Sequence, residues 1–166
     1  MQIARHIILT VLLVLASAGH ANEIAWQEVG KAKLEVLFWD VYKARLYTES
    51  GTFNGIKGPL KLDLTYYLDI KGEDLAKETA KQWRKMGFRH PDNKAWIADL
   101  YRIFPNLQKG DSLTLILSQQ NQGSLLFNGE RIHQFEPSIQ LNQFLAIWLS
   151  EQSTRPELMA KLTGKS

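Results

Sequence analysis

Apolar and polar residues alternate most regularly between Leu60 and Leu68. Because successive side chains of a strand point to opposite faces, this alternation predicts a strand with one apolar face and one mostly polar face. The apolar run from Leu34 to Thr48 predicts a second strand of similar character. Residues 49–59 contain Gly, Asn, Ser and Pro and are typical of a loop between strands. The two strands together predict a sheet with an apolar face that other elements must cover.

Four later segments have the apolar period of about 3.6 residues that is typical of helices. They begin near Gly72, Asp92, Pro137 and Thr154. The first has acidic residues in its first turn, carries Trp83 in its apolar stripe and is predicted to end at Gly87. Thr154 is followed three residues later by Glu157, which is the spacing of a capping box. We therefore expect Thr154 to cap the last helix.

Short strands are predicted before and after this helical region. Ile24–Val29 predicts a short first strand, after which residues 30–32 turn the chain into the strand at Leu34. Residues 112–119 predict a further strand, and Asn128-Gly129 is a strong signal for a hairpin between two more. The order of strands, helices, strands and helices predicts an α+β domain with a mainly antiparallel sheet and helices on one face.

Residues 1–21 have the features of an export signal. Arg5 gives a charged start, and Ile7–Ala16 is an apolar run. Gly19-His20-Ala21 is a small-x-small cleavage pattern, and Ala16-Ser17-Ala18 is a second option. The apolar run is short for a membrane span, which favours cleavage over an uncleaved anchor. We therefore expect a signal peptide at 1–21, a mature domain at 22–166 and a periplasmic location.

Composition argues against several classes of function. The chain has no Cys, so we expect no disulfide, no thiolate metal site and no lipid anchor at a cleavage-site Cys. Its formal net charge is +3 without a concentrated basic face, so no nucleic-acid partner is expected. After residue 21, no segment is long and apolar enough for a stable membrane span. His90 and His133 lack metal-site spacing, and no nucleophile elbow or nucleotide loop occurs, so we predict no metal, cofactor or catalytic residue.

An ordered set of short motifs resembles the bacterial chalcone isomerase-like domain family, whose periplasmic members are expected to be non-catalytic. No single motif is specific, but the set covers nearly the whole predicted mature chain. The motifs are Asp40-Val41-Tyr42-Lys43-Ala44-Arg45-Leu46-Tyr47, Pro59-Leu60-Lys61-Leu62-Asp63-Leu64-Thr65-Tyr66, Phe104-Pro105-Asn106-Leu107, Gly110-Asp111, Phe127-Asn128-Gly129, Ile147-Trp148-Leu149, and the tail from Pro156-Glu157-Leu158 to Leu162-Thr163-Gly164. The resemblance implies an open-faced antiparallel β-sandwich of chalcone isomerase type, with helices packed on one face of the sheet and a cleft between them.

The resemblance also bears on activity. Enzymes of this fold close a flavanone ring with an Arg, a Thr and a Tyr, whose positions correspond here to Ala32, Tyr42 and Leu75. Ala32 cannot supply the positive charge that stabilises an anionic substrate, so we expect no isomerase activity and no family cation in the cleft. Fatty-acid-binding relatives use the same Arg and Tyr, so the resemblance does not predict fatty-acid binding by that mode.

Tyr42, Tyr66 and Trp83 are the candidate ligand-binding residues. Their amphipathic rings lie on the predicted inner faces of two strands and a helix, which suits an apolar ligand with a polar end. Aromatic residues at such spacing also commonly fill a core, and that alternative stays open.

Three hypotheses for function follow. The leading one is a binding module for a small apolar ligand or a periplasmic protein partner. The second is an enzyme of the same fold with a different substrate and residue set. The third is a structural or accessory periplasmic protein whose own side chains fill the cleft.

Overall fold

The computed structural model describes residues 24–165, which form six strands and four helices. The predicted signal peptide at residues 1–21 lies outside the described residues. The strands are β1 (Gln27–Val36), β2 (Trp39–Thr48), β3 (Leu60–Tyr66), β4 (Ser112–Leu117), β5 (Gly123–Phe127) and β6 (Glu130–Phe135). The helices are α1 (Gly72–Lys85), α2 (Asn93–Ile103), α3 (Ile139–Leu149) and α4 (Pro156–Thr163).

All six strands form one antiparallel sheet in the order β1 to β6. The sheet has one apolar face, as the alternation in β3 predicts: Leu60, Leu62, Leu64 and Tyr66 are all buried. Helix α4 contacts β1 and β2, and α3 contacts α1 and α4. The hydrophobic core lies between this apolar face and the helices. The predicted α+β architecture, with an antiparallel sheet and helices on one face, is confirmed.

A predicted helix end and a predicted hairpin turn are also confirmed. Helix α1 ends just before Gly87, whose φ of 76° is the left-handed conformation that glycine adopts without a steric penalty. At the β5–β6 hairpin, Asn128 and Gly129 have φ values of 50° and 86°, which two-residue hairpin turns require.

The first hairpin differs from its prediction. β1 runs from Gln27 to Val36, so the strand predicted at Ile24–Val29 is correct only over residues 27–29, and the turn predicted at residues 30–32 is wrong. Gly30 serves a packing role instead, because a Cβ atom there would lie 2.1 Å from the carbonyl oxygen of Lys161 in α4. The apolar run from Leu34 to Thr48 is also not one strand, since the chain reverses between the paired residues Val36 and Trp39.

The predicted capping box of α4 is wrong by one residue. Arg155 holds the N-cap position, Pro156 follows in the first turn, and no side chain caps the helix. The Thr154 hydroxyl is hydrogen-bonded to the side-chain oxygen of Gln82 in α1 instead. This bond ties the segment before α4 to α1, and it takes the hydroxyl that would otherwise cap the helix.

The turn of the β1–β2 hairpin contains a strained residue. Leu37 has a φ of 58°, although two-residue hairpin loops favour Gly, Asn or Asp at such positions. Its side chain is exposed, so packing does not offset the steric cost.

Leu37→Asn should therefore stabilise the protein. We expect the free energy of unfolding to rise by about 1 kcal/mol, because Asn adopts positive φ more readily than Leu. Urea denaturation measures this change as a higher midpoint at constant slope. The matched control is Phe38→Asn, a neighbouring exposed residue without positive φ, for which we expect a change within about 0.5 kcal/mol. A fall in stability for Leu37→Asn would show that Leu37 makes stabilising contacts.

Candidate ligand-binding cavity

A cavity of about 440 Å³ lies between the apolar face of the sheet and the helices. This volume falls within the range of small-molecule sites, which is about 300–1,000 Å³. The sheet side of the lining includes Leu34, Val36, Val41, Leu62, Leu64, Leu113, Leu115 and Leu125. The helix side includes Leu75, Phe104, Phe144, Ile147, Trp148 and Leu158. Most of the lining is therefore aliphatic or aromatic, which suits an apolar ligand.

Two tyrosine hydroxyls belong to the same lining. Tyr42 in β2 and Tyr66 in β3 are register partners, and their rings meet edge to face with centroids 5.6 Å apart. The Trp148 indole donates a hydrogen bond of 2.9 Å to the Tyr42 hydroxyl. Among residues 24–165, neither tyrosine donates its own O–H proton to an acceptor, and Tyr66 has no hydrogen-bond partner of either kind. Buried polar groups are normally satisfied, so these two donors can each serve a bound ligand.

Burial keeps both hydroxyls protonated. It raises the pKa of Tyr42 to about 12, against the smaller opposing effects of the Trp148 hydrogen bond and the positive charge of Arg155. Burial, together with the neighbouring Tyr42, raises the pKa of Tyr66 well above its ordinary value. Both groups are thus neutral hydrogen-bond donors near neutral pH, and neither can act there as a tyrosinate base.

Charged and polar side chains line the cavity where it meets solvent. We call this set the polar rim; its members are Asp74, Glu78, Lys81, Gln82, Thr154 and Arg155. Glu78 and Lys81 pair with each other at 3.2 Å, and both side chains are about half exposed. Arg155 forms no ion pair within the described part of the chain, and its charge acts on the Tyr42 hydroxyl. The polar rim therefore holds a guanidinium without an ion-pair partner among the described residues, and its charge reaches the Tyr42 hydroxyl.

Two of the three predicted site residues, Tyr42 and Tyr66, line the cavity. The third, Trp83, is 2% exposed and stacks on Trp96, with ring centroids 5.3 Å apart. Its indole donates to the main-chain oxygen of Gln143 at 3.1 Å. Trp83 thus lies in the core beside the cavity, outside its lining, and its role in ligand binding stays a prediction.

Of the three positions implied by the resemblance, two line the cavity and one does not. Leu75 and Tyr42 line the cavity, whereas Ala32 is buried in the sheet opposite Ala44 and does not line it. The resemblance predicts no cation from the position of Ala32, but a guanidinium reaches the lining from Arg155, in a different part of the chain.

Sequence reasoning missed Arg155, although a signal was present. A cation directly before the first turn of a helix opposes the helix dipole, which favours negative charge at that end. Arg155 occupies that position before Pro156, so its placement is not explained by helix stability.

The described residues contain neither a metal-type cluster of side chains nor a membrane-spanning helix. Between residues 24 and 165, no three His, Asp or Glu side chains cluster as a metal site would require. In the same range, no helix combines the length and apolarity needed to cross a bilayer.

Comparison with known proteins supports the fold. No protein-family model matches this chain. An uncharacterized protein of Haemophilus influenzae is 29% identical over 143 residues, which cover 85% of this chain and 69% of that protein. The crystal structure of a fatty-acid binding protein of Arabidopsis thaliana superimposes with a TM-score of 0.63 at 11% sequence identity, covering 84% of this chain and 87% of that one. The protein described here therefore has the open-faced α+β fold of the chalcone isomerase type, and that part of the resemblance is confirmed.

The raised pKa of Tyr42 predicts a loss of stability in alkali. The folded state keeps the Tyr42 proton up to about pH 12, while the unfolded chain releases it above pH 10. The free energy of unfolding should therefore fall across this interval, with Tyr42 contributing up to about 1.4 kcal/mol per pH unit. Denaturation of Tyr42→Phe at several pH values should show a shallower decline than wild type. Equal slopes for the two proteins would contradict the proposed burial of this hydroxyl.

Proposed function

We propose that this protein is an exported, non-catalytic binding protein that holds a small apolar ligand with an anionic end group in its cavity. One observation carries the proposal: an apolar cavity contains two tyrosine O–H donors without acceptors and is bordered by an unpaired guanidinium. A carboxylate on an aliphatic chain matches this arrangement. The fatty-acid binding protein from Arabidopsis thaliana, which shares the fold, supports this ligand class.

The two ends of such a ligand would meet different side chains. The aliphatic chain would pack on the leucines of β3, β4 and β5, where burial of apolar surface supplies most of the affinity. The carboxylate would accept hydrogen bonds from Tyr42 and Tyr66 and face the charge of Arg155. Hydrogen bonds to a charged group are stronger than neutral ones, so the polar end would fix the orientation of the ligand.

Binding is favoured over the two alternatives by the character of the cavity. A protein whose cleft is filled by its own side chains would not retain an open, apolar volume of about 440 Å³. An enzyme requires an acid or base within hydrogen-bond distance of the reacting atoms. The carboxylates that border this cavity belong to the exposed polar rim, whereas the buried part of the lining supplies only neutral hydroxyls. This distribution favours holding a ligand over transforming it.

Isothermal titration with laurate tests the proposal. We expect wild type to bind laurate, and Arg155→Gln to bind it about fivefold to tenfold more weakly, because a partly exposed charge contact is lost. Dodecanol has the same chain without the charge, so its affinity should change little in Arg155→Gln. The matched control is Arg131→Gln, an exposed arginine on β6 outside the cavity lining, which should bind laurate like wild type.

A cavity-filling variant locates the site. Leu75→Trp places a large ring into the lining from α1 and should abolish laurate binding while the protein stays folded. If wild type does not bind laurate, or if Leu75→Trp binds it as well as wild type does, the proposed site is wrong.

Export is proposed from residues 1–21 and has its own test. Expression of the full chain in a Gram-negative host should yield a periplasmic protein whose intact mass corresponds to a chain that begins at Asn22. A cytoplasmic protein of full-length mass would overturn this part of the proposal.

A further inference from the structure

The turn of the β1–β2 hairpin exposes a continuous apolar segment, Val36–Trp39, which we call the hairpin tip. Phe38 is fully exposed, Leu37 is 87% exposed and Trp39 is 66% exposed. Isolated apolar residues on a surface are common, but three adjacent ones at the end of a projecting hairpin are not required by the fold.

Folding requirements do not explain these residues. The turn places Leu37 at a φ of 58°, where Gly or Asn would form a two-residue hairpin with less strain. Their exposed side chains also contribute little to the core. The hairpin tip thus combines a conformational cost with the exposure of apolar surface to water, and no contact within residues 24–165 offsets either.

The hairpin tip adjoins the cavity. Val36 belongs to the tip and also lines the cavity, and its side chain is 40% exposed. Leu34 and Val41, on the two strands that lead into and out of the tip, are lining residues as well. The apolar wall of the cavity therefore continues along the hairpin to the exposed turn.

Charges next to the hairpin tip are already paired. Lys33 binds both Glu35 at 2.8 Å and Asp40 at 3.0 Å, so the base of the hairpin carries a compact ion-paired group with one more negative than positive charge. An apolar end followed by a polar base resembles the gradient at a bilayer surface, where Trp favours the headgroup level and apolar side chains such as Leu and Phe enter the acyl boundary.

We propose that the hairpin tip docks on the surface of a lipid bilayer, with Leu37, Phe38 and Trp39 entering the interface. Docking there would bring the cavity opening next to the phase in which apolar ligands dissolve. The size of the tip favours a bilayer over a protein partner, because a stable protein interface buries about 800 Å² on each side and this tip offers three projecting side chains. Ligand transfer at this surface depends on the proposed function, whereas docking itself does not.

Vesicle flotation tests the docking. The test uses residues 22–166, because the apolar run in residues 1–21 could insert into the vesicle by itself. Removing residues 1–21 leaves the buried core intact, because that core lies between Ala32 and Leu162. With vesicles of phosphatidylethanolamine and phosphatidylglycerol, the double variant Leu37→Asn/Phe38→Ser should partition about tenfold or more weakly than wild type, since two apolar side chains no longer enter the interface. Vesicles of phosphatidylcholine should give the same ratio if insertion of apolar side chains, rather than net charge, carries the binding.

The matched control is Tyr101→Ser/Ile132→Ser, which removes two exposed apolar side chains away from the hairpin. It should float like wild type. Docking is overturned if wild type does not float, if both double variants lose flotation equally, or if sedimentation equilibrium shows a dimer that Leu37→Asn/Phe38→Ser abolishes. Flotation without laurate binding would leave docking intact and overturn the proposed function instead.

Discussion

The apolar face of the sheet is the constraint on which the rest of the structure depends. Its leucines must be removed from water, and the helices that cover it do so unevenly. Helix α4 lies on β1 and β2, and an aromatic cluster formed by Trp83, Trp96, Phe135 and Phe144 fills the core elsewhere. Between these two regions, the cavity separates the apolar face of the sheet from the helices that cover it. An empty apolar volume forgoes the dispersion contacts of a filled core, so a bound apolar molecule would stabilise the native state.

A shared fold does not fix the chemistry of its cavity. The position that the resemblance assigns to the enzymes' cation is Ala32, and that residue lies within the sheet. The guanidinium comes instead from Arg155, at the start of the last helix. The similarity to the Arabidopsis thaliana structure therefore supports the scaffold, whereas the proposed preference for an anionic end group rests on this chain's own side chains.

Features dictated by local chemistry could be predicted from the sequence. The alternation in β3, the glycine stop of α1 and the Asn128-Gly129 turn each follow from steric rules that act over a few residues. The same rules failed where distant parts of the chain intervene. Gly30 has the residue type of a turn, but glycine is needed there because α4 packs against it. Thr154 has the residue type of a helix cap, but its hydroxyl is hydrogen-bonded to Gln82 in α1. The sequence shows that Arg155 opposes the dipole of α4, but it does not show that β2 approaches this residue, so Arg155 could not be assigned to the cavity.

Gly30 has a consequence for the position of positive charge at the cavity. The main chain of α4 rests directly on this residue near Lys161, about six residues and hence roughly 9 Å along the helix axis from Arg155. Any side chain at position 30 would push α4 away from β1, and the guanidinium of Arg155 would move with the helix. The absence of a side chain at position 30 thus allows α4 to lie close to β1, and this close packing sets the position of the Arg155 guanidinium at the other end of the helix.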